Sequence, residues 1–280
     1  MTVYIPTMGR YDNLKRIVPA WLAQGIQVRL VVDRSEFPQH RDLREEMGWR
    51  DRVQVLAARG SGIGAARRFC VSHASQSQLP SIIMSDDDMR PTTEAWPLLT
   101  EAARPGVLGI GAVRPIHDFF TGGAVSRNHG VILCPGGWGF QLFGLNVRAA
   151  IEVGNFDSKL HTAGEDAELA RNGIARGYPW LVHCDVECAT IGARYAPGGI
   201  NTRFREPEDR TQAEWECLEL IHKRWPIYTN PPDKRLRMAW QKMLDDYIPD
   251  WRERSAIHGG RWAGTGPGTA QSGSRSALRA

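Results

Sequence analysis

The chain has 280 residues, of which 42% are hydrophobic and 24% charged, and a formal net charge of +4. That length suits one large α/β domain or two small ones, and the composition is that of an ordinary globular protein. No apolar run approaches the roughly 20 residues a spanning helix needs, and Met1-Thr2-Val3-Tyr4-Ile5-Pro6 lacks the basic segment, apolar stretch and cleavage site of a secretion signal; the expectation is a cytoplasmic protein with no membrane contact.

The five cysteines (Cys70, Cys134, Cys184, Cys188 and Cys217) are odd in number and scattered, which fits reduced thiols. Cys184 and Cys188 would share one strand face as buried structural thiols rather than open a metal cluster. Residues 1–193 carry as many acidic as basic side chains, so the whole positive surplus lies in 194–280. Such a surplus is compatible with a polyanionic acceptor such as DNA, and equally with a solvated charged surface.

In chain order, Val3 to Pro6 reads as a short strand. Tyr11 to Gln24 follows as a helix, on the spacing of Leu14, Ile17, Val18, Trp21 and Leu22. Gln27 to Val32 is a second strand ending at Asp33, residues 40–47 a short helix, and Val53 to Leu56 a third strand. A glycine-rich turn, Gly60-Ser61-Gly62-Ile63-Gly64, opens a helix from Ala65 to about Ala74. Ser81 to Met84 is a fourth strand that runs directly into Ser85-Asp86-Asp87-Asp88. Strands alternating with helices predict a mostly parallel sheet flanked by helices, with ligands gathered at the carboxyl ends of the strands.

Beyond this half, residues 107–147 are β-like and glycine-rich. A helix from Glu165 to Arg176 is closed by Gly177. Thr211-x-x-Glu214 has the form of a capping box for a helix reaching Trp225, and a further helix is expected from Asp233 to Tyr247. Three segments are therefore expected: 1–193 as the catalytic domain, 194–251 as a basic helical extension and 252–280 as a Gly/Ser/Arg-rich flexible tail.

The sharpest chemical signal is Asp86-Asp87-Asp88. Adjacent carboxylates repel unless a cation neutralises them, and Mg²⁺ or Mn²⁺ takes hard oxygen ligands. Alternation along an extended segment would aim Asp86 and Asp88 at one site and turn Asp87 away. An acidic surface turn would read the same way; the place of this one after a fourth strand favours the site. Gly164-Glu165-Asp166 opens a helix, where carboxylates serve as caps, or where one of them acts as a general base toward an acceptor hydroxyl. The Gly60 to Gly64 turn departs from the dinucleotide pattern but permits close approach of backbone to a ligand, with Arg67 and Arg68 following to meet phosphate.

Together, Ile5-Pro6-Thr7-Met8-Gly9-Arg10, Val31-Val32-Asp33, the Gly-rich turn with Arg67, Asp86-Asp87-Asp88, and Gly154-Asn155-Phe156-Asp157 before Gly164-Glu165-Asp166 resemble the GT-A glycosyltransferases over residues 1–190. The resemblance implies a Rossmann-like GT-A domain, a nucleoside diphosphate sugar donor (a UDP-sugar) and Mn²⁺ or Mg²⁺. It implies donor contacts from Pro6, Thr7, Arg10, Asp33, Gly64, Arg67, Asp86 and Asp87, metal ligands Asp86 and Asp88, and Asp166 as the base with Glu165 beside it. Many relatives place a metal-binding histidine near what is here Ile191-Gly192, whereas His183 comes earlier.

The whole chain is similar in style to phage TET-associated glycosyltransferases that modify hydroxymethylated pyrimidines in DNA, which implies a hexosyl transfer to 5-hydroxymethylpyrimidine in the host cytoplasm. Trp138 and Phe140, in Gly136-Gly137-Trp138-Gly139-Phe140, would then stack on a flipped base. Arg194, Arg203, Arg205, Arg210, Lys234, Arg235 and Arg237 would meet phosphates. A glycan or small-molecule acceptor, a nucleotidyltransferase and a non-catalytic nucleotide-binding module remain alternatives.

Overall fold

The computed structural model describes residues 1–113, 129–133, 140–174 and 176–191, with positions 209, 212, 213, 216, 217 and 220. Four strands open the sheet: β1 (Thr2–Pro6), β2 (Gln27–Asp33), β3 (Val53–Ala58) and β4 (Ser81–Ser85). They pair in parallel in the order β3-β2-β1-β4. Their crossovers are α1 (Tyr11–Ala23), α2 (Phe37–Glu46, after a 3-10 turn at Arg34–Glu36) and α3 (Ile63–Gln76). Parallel neighbours need such crossovers, which is why strand and helix alternate through this half.

The second half changes direction. It comprises β5 (Met89–Pro91), α4 (Trp96–Ala102), β6 (Gly109–Val113), β7 (Val131–Leu133), β8 (Leu142–Asn146), α5 (Val147–Glu152), α6 (Glu165–Ile174) and β9 (Trp180–Thr190). β8 lies antiparallel between β4 and β6, and β9 pairs parallel with β6 but antiparallel with β5 and β7. Among the described residues the sheet has nine strands in the order β3-β2-β1-β4-β8-β6-β9-β5, with β7 on β9. It is mixed rather than mostly parallel: β8 runs antiparallel to β4 and β6, and β5 and β7 run antiparallel to β9.

Alternate residues of the strands feed two cores. Val3, Ile5, Val28, Leu30, Val32 and Ile83 pack under Leu14, Ile17, Val18 and Trp21 of α1, Leu43 of α2 and Leu98 and Leu99 of α4. Tyr4, Val31, Ile82, Met84, Phe143 and Leu145 pack under Cys70, Val71 and Ala74 of α3, Ala149 and Ala150 of α5 and Leu169 and Ala170 of α6. Helices cover both faces, so the carboxyl ends of β1 to β4 are left as the open rim.

Cys184 belongs to the second core and Cys188 to the first. The shared strand face expected from the Cys-x3-Cys spacing is lost to a register shift in β9: Ala112 pairs His183 but Val113 pairs Glu187. A bulge of this kind exchanges the faces of every residue beyond it. Both thiols are buried, as are Cys70 and Cys217. Cys134 lies outside the described residues, as do the expected helix at 233–247 and the tail; of the helix expected after Thr211, positions 212, 213, 216, 217 and 220 are helical.

Candidate active site

The rim holds three acidic or polar turns. The first follows β1, where Thr7 donates its backbone N–H to Val31 O, which continues the β1–β2 ladder by one residue. Its hydroxyl donates to Asp87 Oδ2 at 2.8 Å. Gly9 N donates to Glu36 Oε2 at 2.8 Å, so the 3-10 turn after β2 pins the turn after β1. Asp33 caps that 3-10 turn, its Oδ1 accepting from Ser35 N and Oγ. Pro6 is the buried last residue of β1. Glu36 belongs to no motif, and its one signal in the sequence is its place just past a strand end.

The second turn is Asp86-Asp87-Asp88. Met89 N donates to Asp86 O at 3.2 Å, closing a β-turn directly after β4, and Asp86 N donates to Gln141 O at 2.7 Å. A turn replaces the strand alternation expected here, yet leaves Asp88 close enough to Asp86 to be its strongest carboxylate neighbour. Asp87 and Asp88 instead share Arg10, whose Nη1 is 2.9 Å from Asp87 Oδ1 and 3.1 Å from Asp88 Oδ2, while Asp86 takes Arg67 at 2.7 Å. Asp87 is buried. The Asp86 side chain keeps 26% of its surface open and that of Asp88 15%. Asp88 Oδ1 is buried with no hydrogen-bond partner.

The third element is the start of α6. Arg67 Nη1 lies 2.7 Å from Glu165 Oε1 and 3.5 Å from Asp166 Oδ2. The guanidinium therefore stands between the acidic turn and the acidic helix start, with the rings of Phe143 and Phe156 over it at 5.3 and 5.9 Å. Stacking on rings suits a planar, weakly hydrated cation.

Around these two arginines the described residues bring five carboxylates together, an excess of three negative charges when all are ionised. The surroundings answer by favouring protons. Burial, aided by repulsion from Asp88 and Asp87, raises Asp86 to about 6 against the pull of Arg67; burial raises Asp87 to about 6 against Arg10 and Thr7. Burial likewise pushes Glu165 upward, with Asp166 adding to the effect. Burial is the largest cause in all three, and the arginines offset it only in part.

The glycine-rich turn closes on the protein's own chain at Gly62 to Gly64. Ile63 N donates to His161 O and Gly64 N to Leu160 O, both at 3.1 Å, so the first amides of α3 are spent on the loop that precedes α6. A Cβ on Gly64 would stand 2.2 Å from Asp157 O, and one on Gly62, at φ +93, 2.8 Å from the His161 Cα. The close backbone approach expected at Gly64 is real, but its partner is the protein's own chain. Gly64 is corrected from a donor contact to a packing position.

Phe140 is also corrected. It is fully buried and stacks on Trp180 with ring centroids 5.9 Å apart and planes 3° from parallel, so it cannot receive a flipped base. Leu142 and Phe143 beside it are core residues as well. Trp138, Arg194, Arg203, Arg205, Arg210, Lys234, Arg235 and Arg237 lie outside the described residues.

The end of β9 reaches the acidic turn, since Ile191 N donates to Asp88 O at 2.8 Å and Arg16 Nη1 holds Ile191 O at 3.1 Å. His183 is eight residues back from Ile191, beyond the register shift in β9, roughly 26 Å of chain at about 3.3 Å per residue. Its neighbour is Asp185, which is itself held by His129 at 2.8 Å. His183 is not a ligand of the Asp86–Asp88 site.

Comparison with known proteins bears on this geometry. A family model described as TET-Associated Glycosyltransferase matches residues 1–103, the stretch from β1 to α4 that carries Thr7, Arg10, Asp33, Arg67 and the three aspartates. No curated protein matches. Among solved structures, the chain is similar to a mannosyltransferase, PcManGT, from Pyrobaculum calidifontis in complex with GDP-Man and Mn²⁺. That likeness has TM-score 0.57 and 14% identity over 92% of this chain and 74% of the other. It is similar also to GalNAc-T7 with UDP, GalNAc and Mn²⁺, with TM-score 0.55 and 13% identity over 91% of this chain and 56% of that one. A third is S. aureus TarS, with TM-score 0.50 and 14% identity over 92% and 82%.

The fold is that of the GT-A glycosyltransferases. The family match covers the first 103 residues, which carry both arginines and the three aspartates of the acidic turn. Among the described residues no helix is long and apolar enough to cross a membrane.

Proposed function

We propose that the chain moves a sugar from a nucleoside diphosphate sugar to the hydroxyl of a 5-hydroxymethylpyrimidine in DNA, using Mn²⁺ or Mg²⁺ held by Asp86 and Asp88. The observation that carries the reading is the excess of carboxylates at the carboxyl end of β4, with Asp86 partly open and Asp88 Oδ1 buried without a partner. Such a donor set fits a hard divalent cation that shares its remaining positions with phosphate oxygens and water. Once bound, the cation would neutralise the donor diphosphate and stabilise charge on the departing nucleotide.

The chain's own residues do the rest. Thr7 and Arg10, locked to Asp87, hold the turn after β1, which with Pro6 and Asp33 would face the nucleoside. Glu165 and Asp166 project from the first turn of α6 toward the same rim. Asp166 would take the proton of the acceptor hydroxyl as its oxygen bonds to the anomeric carbon. The bond from that carbon to the diphosphate oxygen breaks in the same step, and the nucleoside diphosphate leaves. Direct displacement of this kind inverts the anomeric centre. Phosphates of a DNA acceptor would meet the arginine-bearing segment after residue 193, and Trp138 the flipped base.

The match to the TET-Associated Glycosyltransferase model supports the DNA acceptor, and GDP-Man and UDP in the similar structures support a nucleotide-sugar donor. The test offers radiolabelled nucleoside diphosphate sugars, with Mn²⁺, to hydroxymethylated DNA, unmodified DNA and glycans. Label should enter only the hydroxymethylated DNA, and Asp88→Ala should abolish transfer. Labelled glycan would replace the acceptor, and release of pyrophosphate from a nucleoside triphosphate would replace the reaction with nucleotidyl transfer.

A further inference from the structure

We infer that Arg67 is a positioning residue that couples the metal-binding turn to the base-bearing helix by exchanging its hold on Asp86 for the metal ion. The inference rests on the reading of Asp86 as a metal ligand and Asp166 as the base.

Three observations carry it. The guanidinium alone, among the described ion pairs, joins the two acidic elements: Nη2 is 2.7 Å from Asp86 Oδ1, and Nη1 is 2.7 Å from Glu165 and 3.5 Å from Asp166. Its side chain is only 3% exposed and is packed against the rings of Phe143 and Phe156, so in this arrangement it is closed to a donor phosphate. Its backbone is fixed as well, because the first amides of α3 are bound by Leu160 O and His161 O, in the loop that leads into α6. The arginine, the acidic turn and the start of α6 thus form one unit, in which Arg67 bridges the two acidic elements and Arg10 serves the turn alone.

Arg67 and a metal ion therefore compete for one carboxylate. A cation that takes Asp86 releases Nη2, and the guanidinium stays on Glu165 and Asp166, where it holds the two carboxylates in place at the start of α6. The order of events follows from the charges: the acid pair is fully served by Arg67 only after the metal has arrived. A plain donor contact would behave differently, because its loss weakens donor binding and leaves the affinity for metal alone unchanged.

The test measures Mn²⁺ binding to the donor-free, full-length protein by calorimetry, and steady-state kinetics in saturating Mn²⁺, for Arg67→Met and Arg67→Lys. Loss of the competing charge in Arg67→Met should tighten Mn²⁺ binding about tenfold or more. In the same variant kcat should fall at least about a hundredfold with little change in donor KM. Arg67→Lys keeps the charge but cannot span two carboxylates; it should bind Mn²⁺ nearly as the parent does and recover only part of kcat. Should Arg67→Met fail to fold, the lysine variant decides, and unchanged kcat there overturns the inference. Unchanged Mn²⁺ binding with a raised donor KM would also overturn it and make Arg67 a donor contact, and weaker Mn²⁺ binding would overturn it and make Arg67 a structural one. If the parent protein binds no Mn²⁺, or Asp86→Ala binds it equally well, the metal-site reading itself fails, an outcome separate from the others.

Discussion

At the scale of single residues, the site is governed by which neighbour each charge finds. Asp86, Asp87 and Asp88 are consecutive, yet a β-turn sends the first to Arg67 and the other two to Arg10. Residue types and their place after a strand were legible in the sequence; the division between two arginines was not, because it depends on turn geometry and on helices distant in the chain. Gly64 is the same lesson for backbone. Its missing side chain is required by Asp157 O, which would lie 2.2 Å from a Cβ. Gly64→Ala should therefore destabilise the protein by about 1–3 kcal/mol, as overpacking against unyielding backbone does. Denaturant unfolding measures it, and a change within 0.5 kcal/mol of the parent would show that the 157–161 loop gives way freely.

Elements set which residues meet. α2 starts three residues earlier than its apolar pattern suggests, at Phe37 with Pro38 in its first turn, and this brings His40 onto Tyr11 of α1 at a ring distance of 4.8 Å. His40 is fully buried, with Nδ1 2.9 Å from Glu36 O and Nε2 without a partner. Burial lowers its pKa, more than the Glu36 carbonyl and carboxylate raise it. The unfolded chain takes up a proton here below about pH 6.5, while the folded chain resists it until lower pH. Between those values the unfolded state holds more protons, so stability falls as pH drops. In His40→Phe the loss of stability between pH 7 and 5 should be smaller than in the parent, as read from denaturant midpoints at each pH. Equal slopes would mean that the imidazole is protonated in the folded state without cost.

β9 shows what pattern alone misses among elements. Its cysteine spacing is compatible with one face, but a bulge opposite Val113 turns Cys188 to the other core. Bulges arise from pairing with β6, a partner 70 residues away in sequence, and leave no local signature here. The crossovers of the first half were readable for the opposite reason: each parallel strand must be followed by a helix with its own apolar stripe, so local periodicity reports the topology.

For the molecule as a whole, the balance of charge at the rim decides behaviour. Five carboxylates facing two arginines make the metal-free site unfavourable to fold, and a cation that binds only the native state relieves it. Mn²⁺ at a hundred times its dissociation constant should stabilise the parent by about 2.7 kcal/mol. EDTA should reverse the gain, and Asp86→Ala should show little of it. A thermal melt reads all three. No shift in the parent with Mn²⁺ present would remove the metal from the proposed reaction.

The sequence by itself determined the alternating first half of the sheet, the acidic turn after β4 and the acidic opening of α6, since strand periodicity, adjacent carboxylates and helix-start chemistry are all local. Only the tertiary structure decided that α3 closes on the loop before α6, that Phe140 belongs to the core, and that one buried guanidinium stands between the two acidic elements. Those outcomes depend on contacts between residues 19 to about 100 positions apart. Packing and charge compensation at such separations are settled by the whole fold, where the nearest opposite charge in space is rarely the nearest along the chain.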